Sequence, residues 1–267
     1  MMTNLLQEIC TQKLDHVARC RRNVTLQTLE STISTLGSPR GFTAALSARL
    51  RTGQFGLIAE MKRASPSAGV IRPDFDVHMI ALAYQTGGAS CLSVLTDEPY
   101  FKGRDSDLAA AAVAGLPLLR KDFILTPYQI AETRALGADC VLLIMAALDQ
   151  AQASELHAAA QAYNLDILLE VHDAKELDRA LLLPSGMIGI NNRNLKNLQI
   201  DLNTTRQLAQ HIPADRLIVS ESGLRSYADL VNLRQFGASC FLIGEHLLIQ
   251  NDLVAATKKM LGQVEHR

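Results

Sequence analysis

One tetrapeptide recurs three times in the chain, each time directly before an apolar run. Gly88-Ala89-Ser90-Cys91 precedes Leu92–Leu95, Gly137-Ala138-Asp139-Cys140 precedes Val141–Ile144, and Gly237-Ala238-Ser239-Cys240 precedes Phe241–Gly244. The copies start 49 and then 100 residues apart. Those spacings are close to two and four multiples of a ~25-residue unit, about the size of a strand, a helix and their loops. Five more short apolar runs fill the vacant places: Leu57–Glu60, Pro117–Arg120, Ile167–Val171, Met187–Ile190 and Leu217–Ser220. All eight are mostly uninterrupted and rich in Ile, Leu and Val, as strands covered on both faces are. Segments of helical periodicity lie between them, such as Asp149–Tyr163 and Thr204–His211. The Gly of each repeat falls where a helix should end, as a left-handed cap.

Strand–helix alternation repeated eight times predicts a (β/α)₈ barrel. An open doubly wound sheet is the alternative, but no GxGxxG opens a helix after the first strand. Residues 1–55 precede that strand and read as a helical extension, Leu5–Ala18 and then a piece starting near Ser38-Pro39. No linker divides the chain, so residues 1–267 are expected to form a single domain.

Composition removes several classes of function. Lys and Arg (26) nearly cancel Asp and Glu (27), and Trp is absent. The molecule therefore offers little attraction to nucleic acid or anionic lipid, and little stacking surface for bases. No apolar run reaches the ~18–20 residues that span a bilayer. The N-terminus lacks the charge and cleavage pattern of a signal peptide. Five cysteines without CxxC spacing, and seven scattered histidines, argue against a disulfide framework or a zinc site. A reducing, cytoplasmic setting is expected, with no metal and no cofactor.

The polar residues that interrupt the apolar runs fall at the strand C-termini, where barrels of this kind build their sites. The runs close with Glu60-Met61-Lys62, Arg120-Lys121-Asp122, Glu170-Val171-His172, Asn191-Asn192-Arg193 and Glu221-Ser222-Gly223. Period two puts Glu60 and Lys62 on one face. A single charge there could be a rim ion pair. Five such ends point to a shared site where lysines and carboxylates shift one another's pKa values and supply both a proton donor and an acceptor. Ser222-Gly223 and Gly244-Glu245 end the last two strands, the usual phosphate position in barrels, and Ser65 could add a hydroxyl. A phosphorylated small molecule is the expected ligand. Cys91, Cys140 and Cys240 read as core residues at the strand starts. The basic stretch Arg19–Arg22 reads as a solvated helix face. His172 and His246 adjoin strand ends, yet no residue spaced near either reads as a triad partner.

At these same residues the chain resembles the indole-3-glycerol phosphate synthase family of tryptophan biosynthesis. The resemblance is carried by Ile58-Ala59-Glu60-Met61-Lys62-Arg63-Ala64-Ser65-Pro66-Ser67, Ser93–Thr96, Leu119–Ile124, Leu169–Asp173, Gly189-Ile190-Asn191-Asn192-Arg193-Asn194-Leu195 and Ser220–Gly223. It implies a (β/α)₈ barrel that closes the pyrrole ring of 1-(2-carboxyphenylamino)-1-deoxyribulose 5-phosphate, releasing CO₂ and water without cofactor or metal. On that resemblance Lys121 is the general acid at the ketone and Glu170 the base. Lys62 holds the substrate carboxylate, and whether it shares the acid work is open. Glu60 and Asn191 orient these groups, with Arg193 and Glu221 in support. Ser65, Ser222, Gly223 and Gly244 hold the phosphate, and Phe101 and Phe123 flank the aromatic ring. Transient contact with other enzymes of tryptophan biosynthesis fits the same reading. A sugar-phosphate isomerase barrel would instead show a Cys–Asp pair at the ends of strands one and five, which this chain lacks. A barrel that only binds a phosphorylated ligand would have no need of Lys121 and Glu170.

Overall fold

Each apolar run becomes a strand in the computed structural model, which describes residues 5–195 and 198–263. The strands are β1 (Gly56–Met61), β2 (Cys91–Leu95), β3 (Leu118–Lys121), β4 (Cys140–Ile144), β5 (Asp166–Val171), β6 (Met187–Asn191), β7 (Leu217–Glu221) and β8 (Cys240–Ile243). All pair in parallel with their sequence neighbours, and β8 pairs with β1 to close the barrel. Closure leaves no free edge, and the helices outside cover the second face of every strand. Both faces are therefore apolar, which is why the runs lack alternation. The left-handed caps stand where the repeat placed them: Gly88, Gly137 and Gly237 have φ of 93°, 85° and 101°. A side chain with a Cβ would be strained there.

Alternate residues divide between two packed regions. Leu57, Ala59, Met61, Leu92, Val94, Leu169 and Val171 face the helices. Ile58, Leu119, Leu142, Leu168, Val219 and Leu242 fill the inside. Below them the strand-start thiols Cys91, Cys140 and Cys240 pack with Phe42 and Leu46. Burial pushes the thiols up, Cys240 to about 12, so they behave as small apolar groups. Continuing the inward parity one step up each strand brings Glu60, Lys121, Glu170, Asn191 and Glu221 to the barrel mouth. Neighbouring strands hold them in register, with Ile144 opposite Glu170 and Asn191 opposite Glu221.

The N-terminal segment differs from its sequence reading. Helix α1 runs Leu5–Asn23, longer than expected, and a second helix, α2 (Leu26–Ser34), was not anticipated. Helix α3 (Phe42–Arg51) begins after Gly41, not near Ser38-Pro39. Thr25 caps α2 by accepting the Thr28 N–H at 3.1 Å. On α1, Lys13 is buried and its ammonium lies 2.8 Å from Asp97 and 2.7 Å from Asp122. It ties the extension to the loops after β2 and β3. Arg19, Arg21 and Arg22 are exposed, as a solvated face requires. No helix among the described residues is long and apolar enough to cross a membrane.

Candidate active site

The barrel mouth opens into a cavity of about 450 Å³. Leu95, Leu142, Ile144 and Leu242 line its apolar part. Above them stand Glu60, Lys62, Lys121, Glu170, Asn191 and Glu221. Phe101 and Phe123 form one side, their ring centroids 6.4 Å apart and their planes tilted by 36°. Arg193, Ser222, Gly223 and Gly244 also line this cavity, so twelve of the thirteen residues singled out from the sequence meet in one place. Ser65 is the exception. It is buried in the loop after β1, where its hydroxyl accepts the Ala68 N–H at 3.1 Å and lies 3.4 Å from Ser67 Oγ. Ser67 in turn accepts a 3.4 Å contact from the Arg193 guanidinium.

The charged residues form two connected groups. Lys62 Nζ donates to Glu60 Oε1 at 2.7 Å. Lys121 Nζ lies 3.2 Å from Glu170 Oε2 and 3.6 Å from Glu221 Oε2. Glu170 thus takes Lys121 as its ammonium partner, while Lys62 pairs within its own strand end. The remaining Glu170 oxygen, Oε1, accepts from Asn191 Nδ2 at 3.3 Å. The Asn191 side chain is held from behind, since its Oδ1 accepts the Arg193 N–H at 3.0 Å. Gly189, directly opposite Glu170 on β6, makes room for the third carboxylate: a Cβ there would stand 2.3 Å from Glu221 Oε1.

These contacts sort the protons. Burial works against the charged form of Lys121, but the carboxylates of Glu170, Glu221 and Glu60 outweigh it and raise its pKa. Burial alone would raise Glu170; Lys121, and then His172 and Asn191, hold it well below the usual carboxylate range. Glu221 goes the other way, pushed up to about 8 by burial and by the Glu170 charge, against the pull of Lys121. Two carboxyl groups beside one ammonium cannot both stay ionised at low cost, so one keeps its proton. At neutral pH the cluster contains an ammonium, a carboxylate and a protonated carboxyl side by side.

At the other end of the cavity, Ser222 and Gly223 turn the chain with φ of 67° and 84°. A positive φ is unusual for serine and marks a tightly constrained turn. Arg225, His246 and the short helix Glu245–Leu248 complete this end. The sequence reading does not include Arg225, although an arginine two residues beyond a Ser-Gly strand end is a usable signal for an anion site. His172 reads in the sequence as having no triad partner spaced near it. It proves to have two carboxylate partners, Glu170 at 3.3 Å and Glu176 at 3.0 Å.

Comparison with known proteins agrees with the fold and with the family resemblance. The model of the family "Indole-3-glycerol phosphate synthase" matches residues 6–260. The indole-3-glycerol phosphate synthase of Azospirillum brasilense is 53% identical over 262 residues, covering 98% of this chain and 100% of that protein. That of Rhizorhabdus wittichii is 52% identical over 261 residues, covering 97% and 99%. Among solved structures, 3-hexulose-6-phosphate synthase superposes with a TM-score of 0.62 over 78% of this chain and 99% of its own, at 15% identity, a likeness of fold alone. A family model that matches nearly the whole chain, with identity near one half along its length, means that this chain belongs to the indole-3-glycerol phosphate synthase family.

Proposed function

We propose that the chain converts 1-(2-carboxyphenylamino)-1-deoxyribulose 5-phosphate to indole-3-glycerol phosphate, CO₂ and water, with Lys121 as general acid and Glu170 as general base. The observation that carries these roles is the 3.2 Å contact between Lys121 Nζ and Glu170 Oε2 at the head of an apolar cavity. As the aromatic carbon attacks the ketone, negative charge develops on the ketone oxygen. That oxygen becomes a much stronger base than the ketone was, so even a lysine of raised pKa can protonate it. Lys62, reaching from β1, neutralises the substrate carboxylate until it leaves as CO₂. The rearomatising steps expel the former ketone oxygen as water and release a proton from the ring, which ionised Glu170 accepts. Glu221, protonated at neutral pH, supplies a second donor to the substrate's oxygens.

The rest of the cavity matches the remaining parts of this molecule. Phe101 and Phe123 are suited to the anthranilate ring. Ser222, Gly223 and Gly244, with Arg225 beside them, offer small residues and positive charge to the phosphate. Ser65 acts on this end through Ser67 and Arg193. Asn191 and Glu60 orient the two charged pairs. A cytoplasmic setting, and passing contact with neighbouring enzymes of tryptophan biosynthesis, accompany this reading. The test is direct: purified protein incubated with the carboxyphenylamino substrate should develop indole fluorescence with one CO₂ released per substrate consumed. Binding without fluorescence would leave only a ligand-binding barrel.

A further inference from the structure

His172 follows β5 where the chain turns into the helix Ala174–Leu181. Its side chain is 10% exposed, and carboxylates stand at both ring nitrogens. Nδ1 lies 3.0 Å from Glu176 Oε2, and Nε2 lies 3.3 Å from Glu170 Oε1. The contact at Nε2 is an ion pair more than an aligned hydrogen bond. Glu176 is itself fixed: Oε2 also accepts the His172 backbone N–H at 2.8 Å, and its own N–H donates to Asp173 at 2.9 Å. A neutral imidazole carries one N–H and could satisfy only one of these carboxylates. The ring-closing steps described above leave this residue without a task.

We propose that His172, held by Glu176, is a positioning residue for Glu170: as a cation it pins Oε1 and keeps the carboxylate ionised, leaving Oε2 as the oxygen that exchanges protons. The proposal rests on Glu170 being the base. Oε1 is engaged by both Asn191 and His172, whereas Oε2 faces Lys121. The charges around the imidazole are Glu170 on its own strand and Glu176 on the following helix. Beyond Glu170 stand Lys121 from β3, Glu221 from β7 and Glu60 from β1. Of the basic residues on that helix, Lys175 is exposed, and Arg179 turns away to the carbonyls of Met145 and Leu148. Burial disfavours the imidazolium, but the two carboxylates outweigh it and push His172 up to about 10. The sign follows: the ring is charged below that value, and its charge lowers the pKa of Glu170.

The experiment combines kcat–pH profiles of His172→Gln, Glu176→Gln and Glu170→Gln with NMR titration of the His172 imidazole in the wild-type protein. The glutamine at 172 keeps a donor but loses the charge. Its acid limb should move up by about one pH unit or more, with kcat near neutrality falling about tenfold and KM changing by less than about threefold. In Glu176→Gln the imidazole should lose its proton at lower pH, drawing the alkaline limb of kcat down with it. In the wild type the ring should stay charged to about pH 9. An unshifted acid limb in His172→Gln, or a wild-type imidazole already neutral at pH 7, overturns the proposal. The titration needs no variant to fold, so it decides even if a substitution disrupts the loop. Full activity in Glu170→Gln would instead remove the base assignment beneath it, a different failure with a different signature.

Discussion

Replacing Lys121 with methionine removes the ammonium that stands between Glu170 and Glu221 while keeping most of the side-chain volume. The ammonium is 3.2 Å from one carboxylate and 3.6 Å from the other. At an effective dielectric near 20, each separation corresponds to about 5 kcal/mol of attraction. Glu170 is only 2% exposed, so water cannot replace what is lost. At about 1.4 kcal/mol for each tenfold change in proton affinity, the loss raises the pKa of Glu170 by about three to four units, from well below the usual carboxylate range up into it. The substitution therefore removes the proposed acid and moves the protonation of the proposed base into the mildly acidic range. General acid catalysis alone is worth about 10²–10⁴-fold, and kcat should fall at least that far. A non-reacting substrate analogue should lose less than about tenfold in affinity, because the proposed phosphate and ring contacts are untouched. Single-turnover fluorescence measures the rate, and infrared difference spectra of the carboxyl stretch measure the protonation. Adding Glu170→Gln to Lys121→Met should cost less than Glu170→Gln costs alone, because the two groups act on the same ring closure as a unit. The reasoning is refuted if Lys121→Met keeps more than about a tenth of wild-type kcat, or if the protonation midpoint of Glu170 does not rise in it.

Glu170→Gln should slow turnover and move the alkaline limb of kcat to lower pH, because Lys121 is held protonated chiefly by Glu170 and loses its proton sooner without it; a pH–rate profile with an unshifted limb would separate the base from the lysine. Ser222→Asp puts a carboxylate at the proposed phosphate end of the cavity, where two like charges ~4 Å apart repel by about 4 kcal/mol, so titration calorimetry should show a large loss for phosphorylated ligands and little for dephosphorylated ones. Lys13→Met leaves Asp97 and Asp122 buried and facing each other, and should lower stability by about 3–5 kcal/mol in urea unfolding; a midpoint within error of the wild type would show that the extension is not held this way.

Much of the barrel is legible in the chain because its determinants are local. A left-handed Gly before each repeat strand, and an apolar run short enough to be one strand, depend on neighbours in sequence. Period two then tells which residues look inward, so that Glu60 and Lys62 can be placed on one face before any coordinates exist. The extension was less legible. Leu26, Leu29 and Ile33 are too sparse among Thr, Ser and Gln to announce a helix, and α2 owes its burial at Leu29 to the barrel helix Pro127–Ala135 against which it packs. Lys13 looks like a solvated residue until its partners, Asp97 and Asp122, arrive from distant parts of the chain.

The same division runs through the site. Residue type and strand-end position identified which side chains would gather, including the lysines, the three glutamates and Asn191. Which lysine pairs with which carboxylate was decided only when the barrel closed, bringing β3 opposite β5 and β7 so that Lys121, not Lys62, meets Glu170. The absence of a side chain at Gly189 lets Glu221 join them and keep a proton. His172 acquires its meaning from Glu170 on one side and Glu176 on the other. Sequence carries chemical identity and local geometry, but Coulomb energies and desolvation depend on distances of a few ångströms between atoms far apart in the chain. Those distances exist only after tertiary closure, and with them the protonation states on which the chemistry depends.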